Sequence, residues 1–301
     1  MKRFLVKILL FFSIVAVADV SIGFAGDYLQ THAKGGDTRK TNDLVIKDKH
    51  DVVILGSSRA CHHYDTPYLT DTLVLDVYNA GYDGNGVVLA YGLLSMMLER
   101  YKPQLVVFDV EPAFDIEVYS RDNGHKRYIS SLKPYYYRAG AKEVIKDVSE
   151  EEWYKCHSGM MRYNTTIISK VFDCIGGGKL NKRGYAPMNG IYTGSKKRKR
   201  QSVSDIDDFK LKYLEKLLAL AKSKNVPLTV IASPKYGMTN SVELQPVKKL
   251  CCRYNVPFFD YYAKPEFMEH KEWFQEPMHL NKVGAREFSK VIAGVIKCQI
   301  Q

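Results

Sequence analysis

A chain of 301 residues, 46% hydrophobic and 12% aromatic, is neither disordered nor collagen-like, and its 26% charged fraction excludes a multi-span membrane protein. The 44 Lys and Arg against 33 Asp and Glu give a formal charge of +11, but Lys2, Arg3, Lys7 and the run Lys196-Lys197-Arg198-Lys199-Arg200 hold much of that excess, which argues against nucleic acid as a partner. Six cysteines without Cys-x-x-Cys or Cys/His spacing are too sparse for a disulfide scaffold and suggest no zinc site.

Residues 4–25 form an almost uninterrupted apolar run behind Lys2 and Arg3. As a helix they extend roughly 33 Å, the thickness of a bilayer core. With the basic end kept cytoplasmic, the rest of the chain is expected outside, in the periplasm or beyond. The favoured reading of residues 1–25 is an uncleaved signal anchor. The alternative is cleavage after Ala16-Val17-Ala18, which releases a secreted protein. Residues 26–43 are polar, contain Gly35-Gly36 and read as a tether.

From residue 44 to 301 strands and helices alternate. Val52-Val53-Ile54-Leu55 reads as a buried strand stopped by Gly56, and Leu73 to Tyr78 as a second. A helix is expected over about 85–101, with Pro103 blocking extension, and Leu105 to Phe108 form a third strand. About ninety aromatic-rich residues, 113–203, interrupt the rhythm as an insertion suited to a substrate-binding cap. A helix over about 204–224 opens with a capping box, Ser204-x-x-Asp207. Strands at 228–231 and 256–259 and a last helix from about Asn281 complete the body. The alternation implies a parallel sheet covered on both faces.

Two segments carry chemistry. Gly56-Ser57-Ser58-Arg59 places a serine on the turn between the first strand and a helix, where backbone N–H groups favour incoming negative charge. A plain turn or a phosphate-binding loop has the same look. In Glu276-Pro277-Met278-His279 an acid three residues before a histidine can orient the imidazole through Nδ1 and leave Nε2 as a general base. His62, one helical turn after Ser58, faces the same side and either touches substrate or packs. His63 carries a weaker signal of the same kind. Arg59 either meets an anionic substrate group or forms a salt bridge with Asp109 or Glu111.

Taken together, these segments resemble the SGNH (GDSL) hydrolases over the body from residue 51 onward, in the exported or membrane-anchored bacterial branch with Gly-Ser-Ser-Arg in its first block. A degenerate Gly-x-Ser elbow of the α/β-hydrolases is the nearest rival, but there the acid usually lies far from the histidine in sequence. The resemblance implies a three-layer α/β/α fold with a five-stranded parallel flavodoxin-like sheet. It implies Ser58 as nucleophile, His279 as base, Glu276 as its orienting acid, and an oxyanion hole from the N–H groups of Ser58 and Gly81. The family's Gly-x-Asn-Asp block is absent: the segment reads Phe108-Asp109-Val110-Glu111, so Asn85 is a candidate replacement donor. The activity implied is ester hydrolysis or acyl transfer without metal or organic cofactor, on an acylated small molecule or the O-acyl groups of a cell-envelope polysaccharide. The competing expectation is a non-catalytic envelope-glycan-binding or assembly protein that keeps the fold.

Overall fold

The computed structural model describes residues 1–119, 124–177, 183–194 and 205–300. In chain order the elements are α1 (Lys2–Thr31), α2 (Gly36–Asn42), β1 (Val52–Gly56), α3 (Ser58–His63), α4 (Thr66–Leu73), β2 (Val77–Asn79), α5 (Val87–Leu98), β3 (Leu105–Asp109) and α6 (Pro112–Asp115). Four helices of the insertion follow: α7 (Ala139–Val148), α8 (Glu150–Lys155), α9 (Gly159–Tyr163) and α10 (Ile167–Cys174). The chain ends with α11 (Asp208–Ser223), β4 (Leu228–Ala232), α12 (Gln245–Tyr254), β5 (Phe258–Asp260), α13 (Pro265–Met268), the hairpin β6 (Phe274–Glu276) and β7 (His279–Leu280), and α14 (Lys282–Ile300).

Strands β1 to β5 form one parallel sheet in the order β2-β1-β3-β4-β5. Alternate side chains of each strand enter opposite cores, the period-2 rule of a pleated strand. Val53, Leu55, Val106, Phe108 and Val230 join the helices α5, α11 and α12, whereas Val52, Ile54, Leu105, Val107 and Ile231 meet α14. Because both faces are covered, β1, β3 and β4 are buried along their whole length, which is why they read as continuous apolar runs.

The second strand is shorter than its apolar run suggests. Asp65 caps α4, a proline stands in its first turn, and Leu73 is the last residue of that helix; only Val77–Asn79 pair with β1. Asp207, not Ser204, caps α11, accepting from the N–H groups of Phe209 and Lys210. Ser204 and the Lys196 to Arg200 run lie outside the described residues.

Residues 26–43 are not a tether. α1 runs on to Thr31, and Thr38, Lys40, Thr41 and Asn42 of α2 are buried. Each finds a distant partner: Thr38 N–H the Asp173 carboxylate at 3.3 Å, Thr41 the Tyr82 hydroxyl, Asn42 the Tyr135 hydroxyl at 2.6 Å, and Lys40 the Gly81 carbonyl at 2.5 Å. The helical part of the insertion packs beside α5, where Leu132, Tyr135, Val144 and Ile145 extend the main core. Its last described stretch, residues 183–194, runs past the C-terminal end of β2 toward the β6–β7 hairpin: Asn79 N–H donates to Arg183 O, Ala186 N–H to Cys61 O, and Lys282 N–H to Met188 O.

Candidate active site

Gly56 ends β1 with φ +144°, and a Cβ there would lie 2.5 Å from Asp109 O, so no other residue fits this crossing. Ser57 then caps α3, and Ser58 is that helix's first residue, with an N–H that has no place in the helical ladder. At the far end of the chain Glu276 and His279 are cross-strand partners in the β6–β7 hairpin. Tyr236 N–H holds the hairpin turn through Pro277 O at 2.9 Å.

This geometry brings the three expected catalytic residues together. His279 Nε2 lies 2.7 Å from Ser58 Oγ across 221 residues of sequence, and Nδ1 is hydrogen-bonded to Glu276 Oε1. The second carboxylate oxygen accepts from Met278 N–H at 2.9 Å. The tight hairpin therefore absorbs the extra methylene of Glu relative to Asp. Burial raises the Glu276 pKa, but the bonds to His279 and Met278 outweigh it and leave the carboxyl below its ordinary range.

A buried polar network fixes both halves of this pair. His63 Nε2 accepts from Leu280 N–H at 3.0 Å, directly beside His279, so its proton is on Nδ1, which lies 2.9 Å from Ser233 Oγ. The Ser233 hydroxyl donates to Asp109 at 2.7 Å and also accepts from Arg59 Nε at 3.1 Å. Its one donor and two acceptor sites are all used. Burial, then the Arg59 charge, press the His63 pKa well below its ordinary value, so the ring is neutral. Burial raises Asp109 to about 6 against the pull of Arg59 and Ser233.

Arg59 is therefore not a substrate contact. It is fully buried, Nη1 lies 2.7 Å from Glu111 Oε2, and the guanidinium stands 5.0 Å over the Tyr262 ring. Glu111 is the ion-pair partner of this arginine, and Asp109 adds a second negative charge near it. Sequence reasoning gives His63 only a weak signal and misses Ser233, because nothing local marks a histidine whose function is to hold another loop's backbone.

The two N–H groups expected to form an oxyanion hole are not equally free. Gly81 N–H donates to Asn79 Oδ1 at 3.0 Å, an Asx-type turn that leaves Ser58 N–H as the uncommitted member of the expected pair. Gly81 is required for another reason: a Cβ would lie 2.6 Å from Cys61 N, so the loop after β2 could not press against α3. Asn85 Nδ2 donates one N–H to Asp83 O at 3.0 Å, while its buried Oδ1 has no partner among the described residues.

His62 does face the site. Its ring packs edge-on 5.3 Å from that of His279 and lines a cleft of about 570 Å³ together with Asp37, Asp83, Asp173, Pro187 and Met188. The insertion thus supplies one wall of the cleft through α10 and residues 186–189. His62 Nδ1 is 2.6 Å from Ala186 O and Nε2 is 3.0 Å from Asp83 Oδ1. Two acceptors on two nitrogens demand two protons, and the ring is an imidazolium. Burial lowers its pKa, but the bonds to Asp83 and Ala186 raise it further, to a net value above ordinary; Asp83 is correspondingly lowered, first by its bond to His62. Cys61, His62 and Asp83 cluster closely enough to ligate an ion. The chemistry is wrong for one: both His62 nitrogens are engaged, burial lifts the Cys61 thiol to about 11, and Lys40 Nζ stands 3.7 Å from its sulfur.

The His62–Asp83 pair has a pH signature. His62 stabilises the fold fully below its unfolded value near 6.5 and loses that contribution as pH rises through its raised folded pKa; Asp83 contributes above about 4 and loses it in acid. The His62 ring proton resonance is expected to titrate above about 6.5 by NMR and to move down in Asp83→Asn. An unchanged midpoint in that variant would exclude the ion pair.

A scan against protein-family models finds no match to this chain, and a search of curated proteins returns no significant relative.

Proposed function

We propose that the chain is a serine-dependent esterase or acyltransferase of the SGNH type, with a flavodoxin-like body held outside the cytoplasm by α1 as a membrane anchor. The observation that carries this reading is the continuous relay Ser58–His279–Glu276. The strand order supports the fold assignment, and Ser58 follows the C-terminal end of a central strand, where ligands of open parallel sheets bind. Ser58 Oγ attacks the ester carbonyl as His279 Nε2 takes its proton. Ser58 N–H donates to the developing oxyanion, and Nε2 returns the proton to the leaving alcohol. Water or an acceptor hydroxyl, deprotonated by the same nitrogen, then releases the acyl group from Ser58. The cleft beside His62, walled by polar and apolar groups, suits an acylated small molecule or an O-acylated polysaccharide of the cell envelope.

The commitment of Gly81 N–H to Asn79 favours a second reading, a non-catalytic binding protein, because loss of one oxyanion donor costs about 10²- to 10³-fold in rate. A fluorophosphonate probe on the full chain separates the two. Labelling at Ser58 is expected, with Glu276→Gln slowing it by up to about 10⁴-fold by disturbing the His279 tautomer. A folded chain that takes up no label would establish the binding reading.

A further inference from the structure

The N-terminal helix leaves the body docked along its second half. Asp19 accepts from Ser158 Oγ at 2.5 Å, Met160 N–H at 2.9 Å and Gly159 N–H at 3.2 Å, closing the start of α9. One turn on, the backbone of Gly23 lies against Gly159, and the Tyr163 ring covers Gly26. Asp27 takes the Tyr163 hydroxyl at 2.5 Å and Arg162 at 3.0 Å, and Gln30 is bonded to the buried Lys170 of α10. α9 and α10 are thus held side by side with the last turns of α1.

Residues 4–25 of α1 span roughly 33 Å as a helix. Asp19 to Gly23 belong to the outer end of that stretch, so the start of α9 is held at the boundary of the hydrocarbon layer. The side chains there are apolar and exposed: Met160 and Met161 on α9, and Phe24 on α1. On α10, Ile168 and Phe172, and Ile175 just past its end, recur at four and three residues and are 74%, 60% and 74% exposed, while Lys170 is buried. Such a cluster is unusual on a surface that meets only water. The Asp19 contacts matter for the same reason, since the N–H groups opening α9 are satisfied before they approach lipid.

We propose that α9 and α10 form a second membrane contact, in which Met160, Met161, Ile168, Phe172 and Ile175 enter the interfacial layer of the bilayer that α1 crosses. This rests on the anchor reading of α1. The occupant is lipid because the start of α9, with the exposed Met160 and Met161, is held against Asp19 and Gly23, next to the exposed Val20 and Phe24 of α1, which brings the bilayer to it. The body is then seated on the membrane at fixed orientation instead of swinging on a linker.

The test uses the full chain reconstituted in phosphatidylcholine vesicles carrying brominated acyl chains, with Met161→Trp and Phe172→Trp as separate reporters. Val242→Trp, exposed but outside this face, is the control. Lipids brominated near the headgroup are expected to quench both reporters at least about twofold beyond the wild-type background, and to leave the control unchanged. Retention through an alkaline wash without quenching would overturn this contact alone. Loss of the chain in the wash would overturn the anchor reading and the contact with it.

Discussion

Ser58→Ala is expected to lower kcat/KM on short acyl esters by roughly 10⁴- to 10⁶-fold, His279→Ala by a similar factor, and the double variant by no more than the worse single one. The hydroxyl and the imidazole act as one unit: at 2.7 Å, removal of either leaves no route for the proton that must leave Oγ. Additive losses would mean that the two residues work in separate steps, which the relay forbids. Circular dichroism should stay unchanged, because Ser58 donates to no structural partner other than His279 among the described contacts. Turnover surviving Ser58→Ala would move the chemistry elsewhere, and Asp83 with His62 would be the next place to look.

How much of this was readable beforehand depends on the range of the forces involved. The acid-x-x-His spacing and the Gly-Ser-Ser turn are local signals, and the hairpin turn and the α3 cap that realise them are local structures. The buried strands were equally plain, since β1, β3 and β4 are covered on both faces and carry no alternation to confuse. Polarity misled at residues 26–43: Lys40, Thr41 and Asn42 look like linker composition, but tertiary partners on Gly81, Tyr82 and Tyr135 draw them inside. Gly81 misled in a different way. A glycine after the second strand is equally consistent with a donated N–H and with close approach, and only the position of the Asn79 side chain separates them. Arg59 was balanced between substrate and salt bridge, and its burial against Glu111 decides the matter.

Disrupting that ion pair gives the largest expected stability effect. Arg59 and Glu111 are 0% and 1% exposed; burial lowers the arginine pKa, but the attraction of Glu111, Asp109 and Tyr262 together outweighs it, and burial raises Glu111, but Arg59 and Lys235 together hold it below its ordinary range. Glu111→Gln preserves the shape and removes the compensating charge. An uncompensated buried guanidinium costs about 3–5 kcal/mol, a fall in Tm on the order of 10 °C for a domain of this size. Among the described residues one nitrogen of Arg59 and one oxygen of Glu111 already lack partners, so the pair is held for position more than for net stability. The double variant Arg59→Met with Glu111→Leu should therefore recover most of the lost Tm. It should not recover activity in full, because Arg59 Nε also anchors Ser233, whose hydroxyl orients His63 and, through the Leu280 amide, the strand carrying His279. Thermal unfolding and ester turnover measured on the same three variants separate these effects. A Glu111→Gln protein within about 1 kcal/mol of the parent would show that the arginine finds its neutralising charge elsewhere, with Asp109 the nearest candidate.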